Sequence, residues 1–178
     1  MAGAYTHDDR MTRLISSGSS ASGLRVLSLF LGVFFLFMGL DKLAWLTDAD
    51  LLTKQLNTWL ETAPAASRWY LRTVAIPGAP VFARLVLIGE LATAAALLTG
   101  FQPRLAALAG LFMVLNFHFA MGVLLQYSYL WNGYGPPVLG GLLALVIGGA
   151  HLPFSVSGGS GLLPPASTRD RDTGTGAR

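Results

Sequence analysis

Apolar residues run along this chain in stretches too long for one face of a soluble helix. A helix that crosses a bilayer needs about 20 mostly apolar residues. Four stretches meet or approach that length: about Leu24 to Leu46, Ala83 to Gly100, Leu105 to Gln126, and Pro137 to Leu152, the last being the shortest. Pro136 and Pro137 suit a helix start, and Pro153 closes its end. The first run is longer than a signal-peptide core. Asp41-Lys42-Leu43-Ala44-Trp45 offers no small-residue cleavage pattern, so the run reads as a retained span. Between the first two spans, Leu51, Leu52, Leu56, Trp59 and Leu60 recur at helical spacing, with Lys54, Gln55 and Glu61 on other faces. They predict a short amphipathic helix that lies on the outer surface or caps the bundle as a lid. Ala63-Pro64 and Ile76-Pro77-Gly78 break the chain after it. Residues 1–22 and 155–178 are rich in Ser, Gly, Thr and charge and read as disordered tails. The predicted architecture is all-α: a four-helix transmembrane bundle over residues 23–154, with the amphipathic outer helix in its first loop.

Composition supports a lipid environment. The chain is 53% hydrophobic and only 12% charged, against about 25% charged in soluble domains. It has no cysteine. Disulfides, thiolate catalysis, iron–sulfur ligation and c-type haem attachment are therefore excluded within it. The formal net charge of +3 comes from Arg residues scattered at loop edges, without the stripe that a nucleic-acid surface needs. They act as topology signals instead. Arg10, Arg13, Arg25, Arg104, Arg169, Arg171 and Arg178 fall on one side of a four-span bundle. Lys54, Arg68 and Arg72 fall on the other, and the loop from Tyr127 to Pro136 has no basic residue. Both termini are expected in the cytoplasm, in a multi-pass protein of the cell membrane. Trp45, Trp59, Trp69 and Trp131 all lie on the expected outer side, with Tyr70, Tyr127, Tyr129 and Tyr134. They are interfacial anchors or the walls of an outer pocket.

Charge at membrane depth is costly, about 2.5–3.5 kcal/mol for a central residue, and such residues tend to face a protein interior. Asp41, Lys42, Glu90, His118 and His151 sit in or beside the spans. Lys42 shares a face with Gly32, Phe35 and Gly39, while Asp41 points toward the outer interface. In the second span, Gly89, Ala92, Thr93, Ala96 and Gly100 form a small-residue face expected to pack inward, with Glu90 on its border. Ala106, Ala109, Met113, Asn116 and Ala120 do the same in the third, and Gly141, Ala144 and Gly148 in the fourth. Asn116 and His118 are about 200° apart on a helix and cannot face one partner. At 1.5 Å rise per residue, Lys42 is about 5 Å below the outer end of its span and Glu90 and His118 about 10 Å below theirs. His151 is alone at the inner end, so a two-histidine haem site is not expected, and no metal cluster is evident. Glu90 and Lys42 are the candidate catalytic residues. Asn116, His118, Trp59, Trp69 and Trp131 are candidate ligand-binding residues. The alternative for Glu90 and Lys42 is a structural ion pair, and for Asn116 and His118 an interhelical hydrogen bond.

Gly39-Leu40-Asp41-Lys42-Leu43 resembles the G-x-x-K-L ending of the first helix in the DoxX-like family. So do Ile88-Gly89-Glu90-Leu91, Leu98-Thr99-Gly100-Phe101 and Arg104-Leu105-Ala106-Ala107-Leu108. The long loop with Trp45, Trp59 and Trp69-Tyr70 is similar to the DoxD branch, the small membrane subunit of thiosulfate:quinone oxidoreductase. The resemblance covers roughly residues 25–154. Gly149-Ala150-His151-Leu152-Pro153-Phe154-Ser155 departs from the family's G-x-x-x-S-x-D ending and lacks its Asp. The resemblance implies a membrane subunit of a quinone-linked oxidoreductase, with no covalently bound cofactor, a quinone as candidate ligand, and a partner redox subunit in the bilayer. The rival expectation is a non-catalytic membrane scaffold that stabilises partner proteins. A small transporter has less support, since no paired broken helices are present, although a homo-oligomer burying the Glu90 faces would revive it.

Overall fold

The structure is a computed structural model that describes residues 6–124, 126–150 and 152–156, with side chains from residue 20 onward. Six α-helices follow in order: α1 (Thr6–Asp41), α2 (Asp50–Thr62), α3 (Ala65–Tyr70), α4 (Ala79–Thr99), α5 (Pro103–Met121) and α6 (Pro136–Gly148). A 3₁₀ turn, Leu43–Leu46, follows α1, and another, Tyr127–Trp131, precedes α6. A π-helical turn, Leu71–Ala75, leads toward α4. No strand occurs among the described residues. The expected all-α membrane bundle is the observed one. Ser20–Asp41, Ala79–Thr99 and Pro103–Met121 are each long and apolar enough to span a bilayer.

The fourth apolar helix is shorter than expected. It has 13 residues, about 20 Å at 1.5 Å per residue, against a hydrocarbon thickness of about 30 Å. Gly148 and Gly149 release the helix four residues early, because glycine lowers helical stability. The first helix is longer than expected and starts at Thr6, inside the stretch read as a tail. No proline interrupts residues 6–22, so a helix nucleated in the span extends backward at little cost. His151 and the tail from residue 157 lie outside the described residues.

Two apolar cores stack along the bundle. The inner one joins α1, α4, α5 and α6 through Leu31, Phe35, Ala94, Leu97, Ala107, Val114, Leu142 and Leu145. The outer one seats α2 on the bundle through Leu52, Leu56, Ala63, Leu71, Ala75, Ala79, Ala83 and Ala120. The amphipathic helix therefore spends its apolar face on the protein and serves as a lid. Large side chains cover the outside of the spans, with Phe30 73%, Phe37 66% and Phe112 73% exposed, as lipid-facing surfaces should be.

At the inner end, helix termini are closed by arginine. Arg25 donates to the carbonyls of Leu97 (2.9 Å) and Leu98 (2.7 Å), and Ser28 also donates to Leu97 at 2.8 Å. Arg104 donates to the Ile147 carbonyl. The last carbonyls of a helix have no intrahelical donor, and a dry membrane leaves them few alternatives. These arginines thus hold helix ends together.

The small-residue faces were only partly diagnostic. The buried stripe of α4 is Ala83, Leu87, Glu90, Thr93, Ala94 and Leu97, so Thr93 of the expected small face is buried whereas Ala92 is exposed. In α5 the buried residues include Ala106 and Ala120, as expected, with Ala107, Gly110, Val114 and His118, whereas Ala109 is exposed. In α6 they are Val138, Leu142 and Leu145. Glycine matters where two backbones touch, as at Gly32, whose added Cβ would lie 2.8 Å from Leu98 Cγ and 3.1 Å from the Leu98 backbone nitrogen. Gly32→Val is therefore expected to destabilise the bundle by about 1–3 kcal/mol, the usual cost of overpacking. Gly140→Ala meets nothing within 4 Å and should be neutral or slightly stabilising. Unfolding midpoints in detergent micelles check both.

Candidate functional site

Lys42 is the first residue past α1. Its side chain runs into the bundle and is 9% exposed, facing a Glu90 side chain that is 5% exposed. Lys42 Nζ lies 3.0 Å from Glu90 Oε2 and donates to the Met38 carbonyl at 2.8 Å. Gly39, one turn before Lys42, lets α1 come this close to α4. A Cβ there would sit 2.7 Å from Leu91 Cδ2 and 3.5 Å from Glu90 Cβ. The ion pair is close but poorly aligned, since Glu90 Oε2 has no hydrogen bond of acceptable geometry from the described residues. Its proximity to the ammonium compensates its charge without satisfying its lone pairs. Lys42 Nζ also lies 5.7 Å from the Trp45 ring centroid and 6.0 Å from that of Phe117, within cation–π range.

The pair borders a cavity of about 350 Å³ in the outer part of the bundle. α1 supplies Phe34, Phe35, Met38 and Asp41; the lid supplies Gln55 and Trp59; α5 supplies Met113, Val114, Phe117, His118 and Met121; and the last outer loop supplies Asn132 and Tyr134. The walls are mainly aromatic and thioether. Trp59 meets Phe117 edge to face, with centroids 6.1 Å apart, and Phe34 lies 5.9 Å from Tyr134. A mostly apolar cavity with a few convergent polar groups is the usual form of a small-molecule site.

His118 is buried, and its Nδ1 is hydrogen-bonded to the Tyr129 hydroxyl at 3.0 Å. The two rings meet at 5.2 Å, near perpendicular. Tyr129 sits in the 3₁₀ turn before α6, where burial pushes its phenol above its ordinary pKa. Asn116 turns the other way, accepting a bond from Tyr70 at 2.7 Å and lining a separate void of about 50 Å³ under the lid.

Of the residues singled out by sequence, Lys42, Glu90, His118 and Trp59 meet at one cavity. Asn116 and His118 diverge, as their angular separation required. Trp69 and Trp131 stay outside, 65% and 80% exposed, and have the exposure of interfacial anchors. Asp41, expected to point away, lines the cavity beside its exposed rim, because the helix ends there and the chain turns. Glu90 occupies the centre of the α4 stripe instead of its border. Phe117, Met38, Met113, Met121, Gln55 and Asn132 were not anticipated in the cavity, whereas Tyr134 was among the outer aromatics expected to anchor the protein or wall a pocket. Phe117 carried a usable signal, since it precedes His118 and faces the lid. Asn132 and Tyr134 reach the cavity from an irregular loop, which helical periodicity cannot report. No group of three or more His, Asp or Glu able to hold a metal ion occurs among the described residues.

Removing one member of a buried ion pair strands the other, at a typical cost of about 3–5 kcal/mol, whereas removing both is often nearly neutral. Lys42→Met and Glu90→Gln should each lower stability on that scale. The double variant should recover most of the loss. Detergent unfolding of the four proteins as a double-mutant cycle measures the coupling. Additive losses would mean that the pair does not interact.

No curated protein and no solved structure matches the chain. The DoxX family model matches residues 23–123, more than half of the chain. The match contains Lys42, Glu90 and His118, and it ends before Tyr129 and α6. Together with the apolar helical bundle, it shows that this chain is a membrane protein of the DoxX family.

Proposed function

We propose that this protein is a membrane subunit of a quinone-linked oxidoreductase and that the outer cavity holds the quinone ring. One observation carries the reading: a cavity of about 350 Å³ with aromatic and methionine walls has a buried ammonium, Lys42, at its edge. A quinone ring is flat, apolar on its faces and polar only at its carbonyls. Aromatic and thioether walls suit the faces. Lys42 carries three N–H donors, and a carbonyl accepts one. The cavity lies in the outer part of the bundle, where a lipid-soluble ring is concentrated by the bilayer itself.

The chain has no cysteine, so oxidation of a sulfur donor such as thiosulfate belongs on a partner chain, as in the DoxD-like arrangement. The arginine bias supports an orientation with both termini in the cytoplasm, and in that orientation the lid and the cavity lie on the opposite side. A second reading is a non-catalytic scaffold for membrane partners. The exposed Trp69, Tyr127, Leu130 and Trp131 on the outer side favour it.

Trp45 and Trp59 border the cavity, so ligand entry should quench tryptophan fluorescence. A short-chain benzoquinone added to purified protein in detergent is expected to quench saturably. The Lys42→Met/Glu90→Gln double variant should bind at least about tenfold more weakly, the worth of a hydrogen bond to a charged group. Absence of saturable quenching in the wild type would remove the quinone reading. Recovery of a stable non-redox companion from native membranes would then support the scaffold.

A further inference from the structure

The polar groups at the cavity edge are unequal in what they still need. Lys42 Nζ donates one hydrogen bond to the Met38 carbonyl and faces Glu90 at 3.0 Å. Glu90 Oε2 is buried, close to the ammonium, and lacks a hydrogen-bond partner among the described residues. A buried acceptor without a donor is costly, and more so when charged. Glu90 lines the cavity, but Oε2 itself is closed off from open space, so a ligand there supplies the missing donor only as the carboxylate turns toward it. As the anion of the ion pair with Lys42 at 3.0 Å, Glu90 accepts and does not donate.

A quinone carbonyl has no proton. It can accept from Lys42, but it leaves Glu90 Oε2 unsatisfied and sets its own lone pairs against a carboxylate. A hydroquinone hydroxyl does both tasks at one atom: its oxygen accepts from Lys42 and its proton goes to Glu90. Resting on the quinone reading above, we propose that the cavity selects the reduced, hydroxyl-bearing ring over the carbonyl-bearing one through a hydrogen bond donated to Glu90. The discriminating residue is Glu90, which touches the ligand; Lys42 positions it and serves both forms.

The expected preference is at least about tenfold, the value of one hydrogen bond to a charged acceptor. Tenfold tighter binding of the two-electron reduced form makes the bound quinone a stronger oxidant by about 30 mV. A site that takes electrons from a donor subunit benefits from that direction of shift.

Binding is compared for a decyl-substituted benzoquinone and its hydroquinone, the latter kept reduced under anaerobic dithionite, with quenching of wild-type tryptophan fluorescence as the readout. A redox-inert alkylphenol of the same chain length serves as a third probe. The hydroquinone should bind at least tenfold more tightly than the quinone, and the phenol should follow the hydroquinone. In Glu90→Gln the preference should fall to within about threefold, with quinone affinity largely retained, since an amide can donate as well as accept. The wild-type comparison needs no variant, so a poorly folding Glu90→Gln does not blunt it. Equal affinities, or tighter quinone, would overturn the preference and leave the quinone site standing. No binding of any ring would overturn both.

Discussion

A charge inside a membrane protein must meet its counter-charge before it meets lipid. In this chain that requirement concerns Lys42 and Glu90, and much of the outer part of the bundle is arranged around it. Neither could stay buried alone. Gly39 brings α1 against α4 so that the two side chains reach each other. The 3₁₀ turn after Lys42 folds Trp45 back beside the ammonium. The lid places Trp59 and Gln55 over the same space. The pair could have been sealed by close packing, as buried ion pairs often are. It is bordered by a cavity instead, and one carboxylate oxygen keeps an unfilled valence for hydrogen bonding. Architecture alone does not call for that gap, which is why the pair points to a ligand.

The two halves of the bundle differ in how they treat space. Inside, Leu31, Phe35, Leu97, Leu142 and Leu145 fill the centre, and arginines close the carbonyl ends of α4 and α6. Outside, α2 rests on small residues, Ala79, Ala83 and Ala120. That seat lets the lid approach closely on the α4 side. Toward α1 and the last loop, Phe34 and Tyr134 pack at a tilt and a hollow remains. A packed inner half and a hollow outer half fit a protein whose ligand arrives at one side only.

Sequence pattern carried the spans well, because hydrocarbon thickness imposes a length that a linear count can read. Leu51, Leu52, Leu56 and Trp59 likewise announced the lid, because one apolar face must be buried against something. Lys42 and Glu90 were legible for the same reason in reverse: charge in an apolar run has few acceptable places. What failed was facing. Of the expected α4 face, Thr93 and Gly100 are buried, but Ala92 is exposed and Leu87, Glu90 and Ala94 join the inward stripe. A four-helix interior needs volume as well as close approach, and glycine is required only at crossings such as Gly32 and Gly39. Of the loop residues, Asn132 was hidden, and Tyr129 and Tyr134 were legible only as outer aromatics. Tyr129, Asn132 and Tyr134 take their positions from a 3₁₀ turn and an irregular connection whose path no periodicity records.

Those loop residues divide the site in an informative way. The region matched to the DoxX family contains the ion pair, His118 and the aromatic residues of α1 and α5. It stops short of Tyr129, which holds His118 by its Nδ1, and of Asn132 and Tyr134, which complete the wall. The charged centre thus sits in the part of the chain that the family model describes, while part of the enclosure comes from the segment beyond it. A hydrogen bond at Nδ1 also decides the role of the other ring nitrogen. With the Tyr129 hydroxyl donating, His118 Nε2 carries the proton; with it accepting, Nε2 is the acceptor. Tyr129 therefore couples the last outer loop to the hydrogen-bonding sense of a cavity wall. A change in that loop can alter the hydrogen-bonding sense of the wall without touching the ion pair.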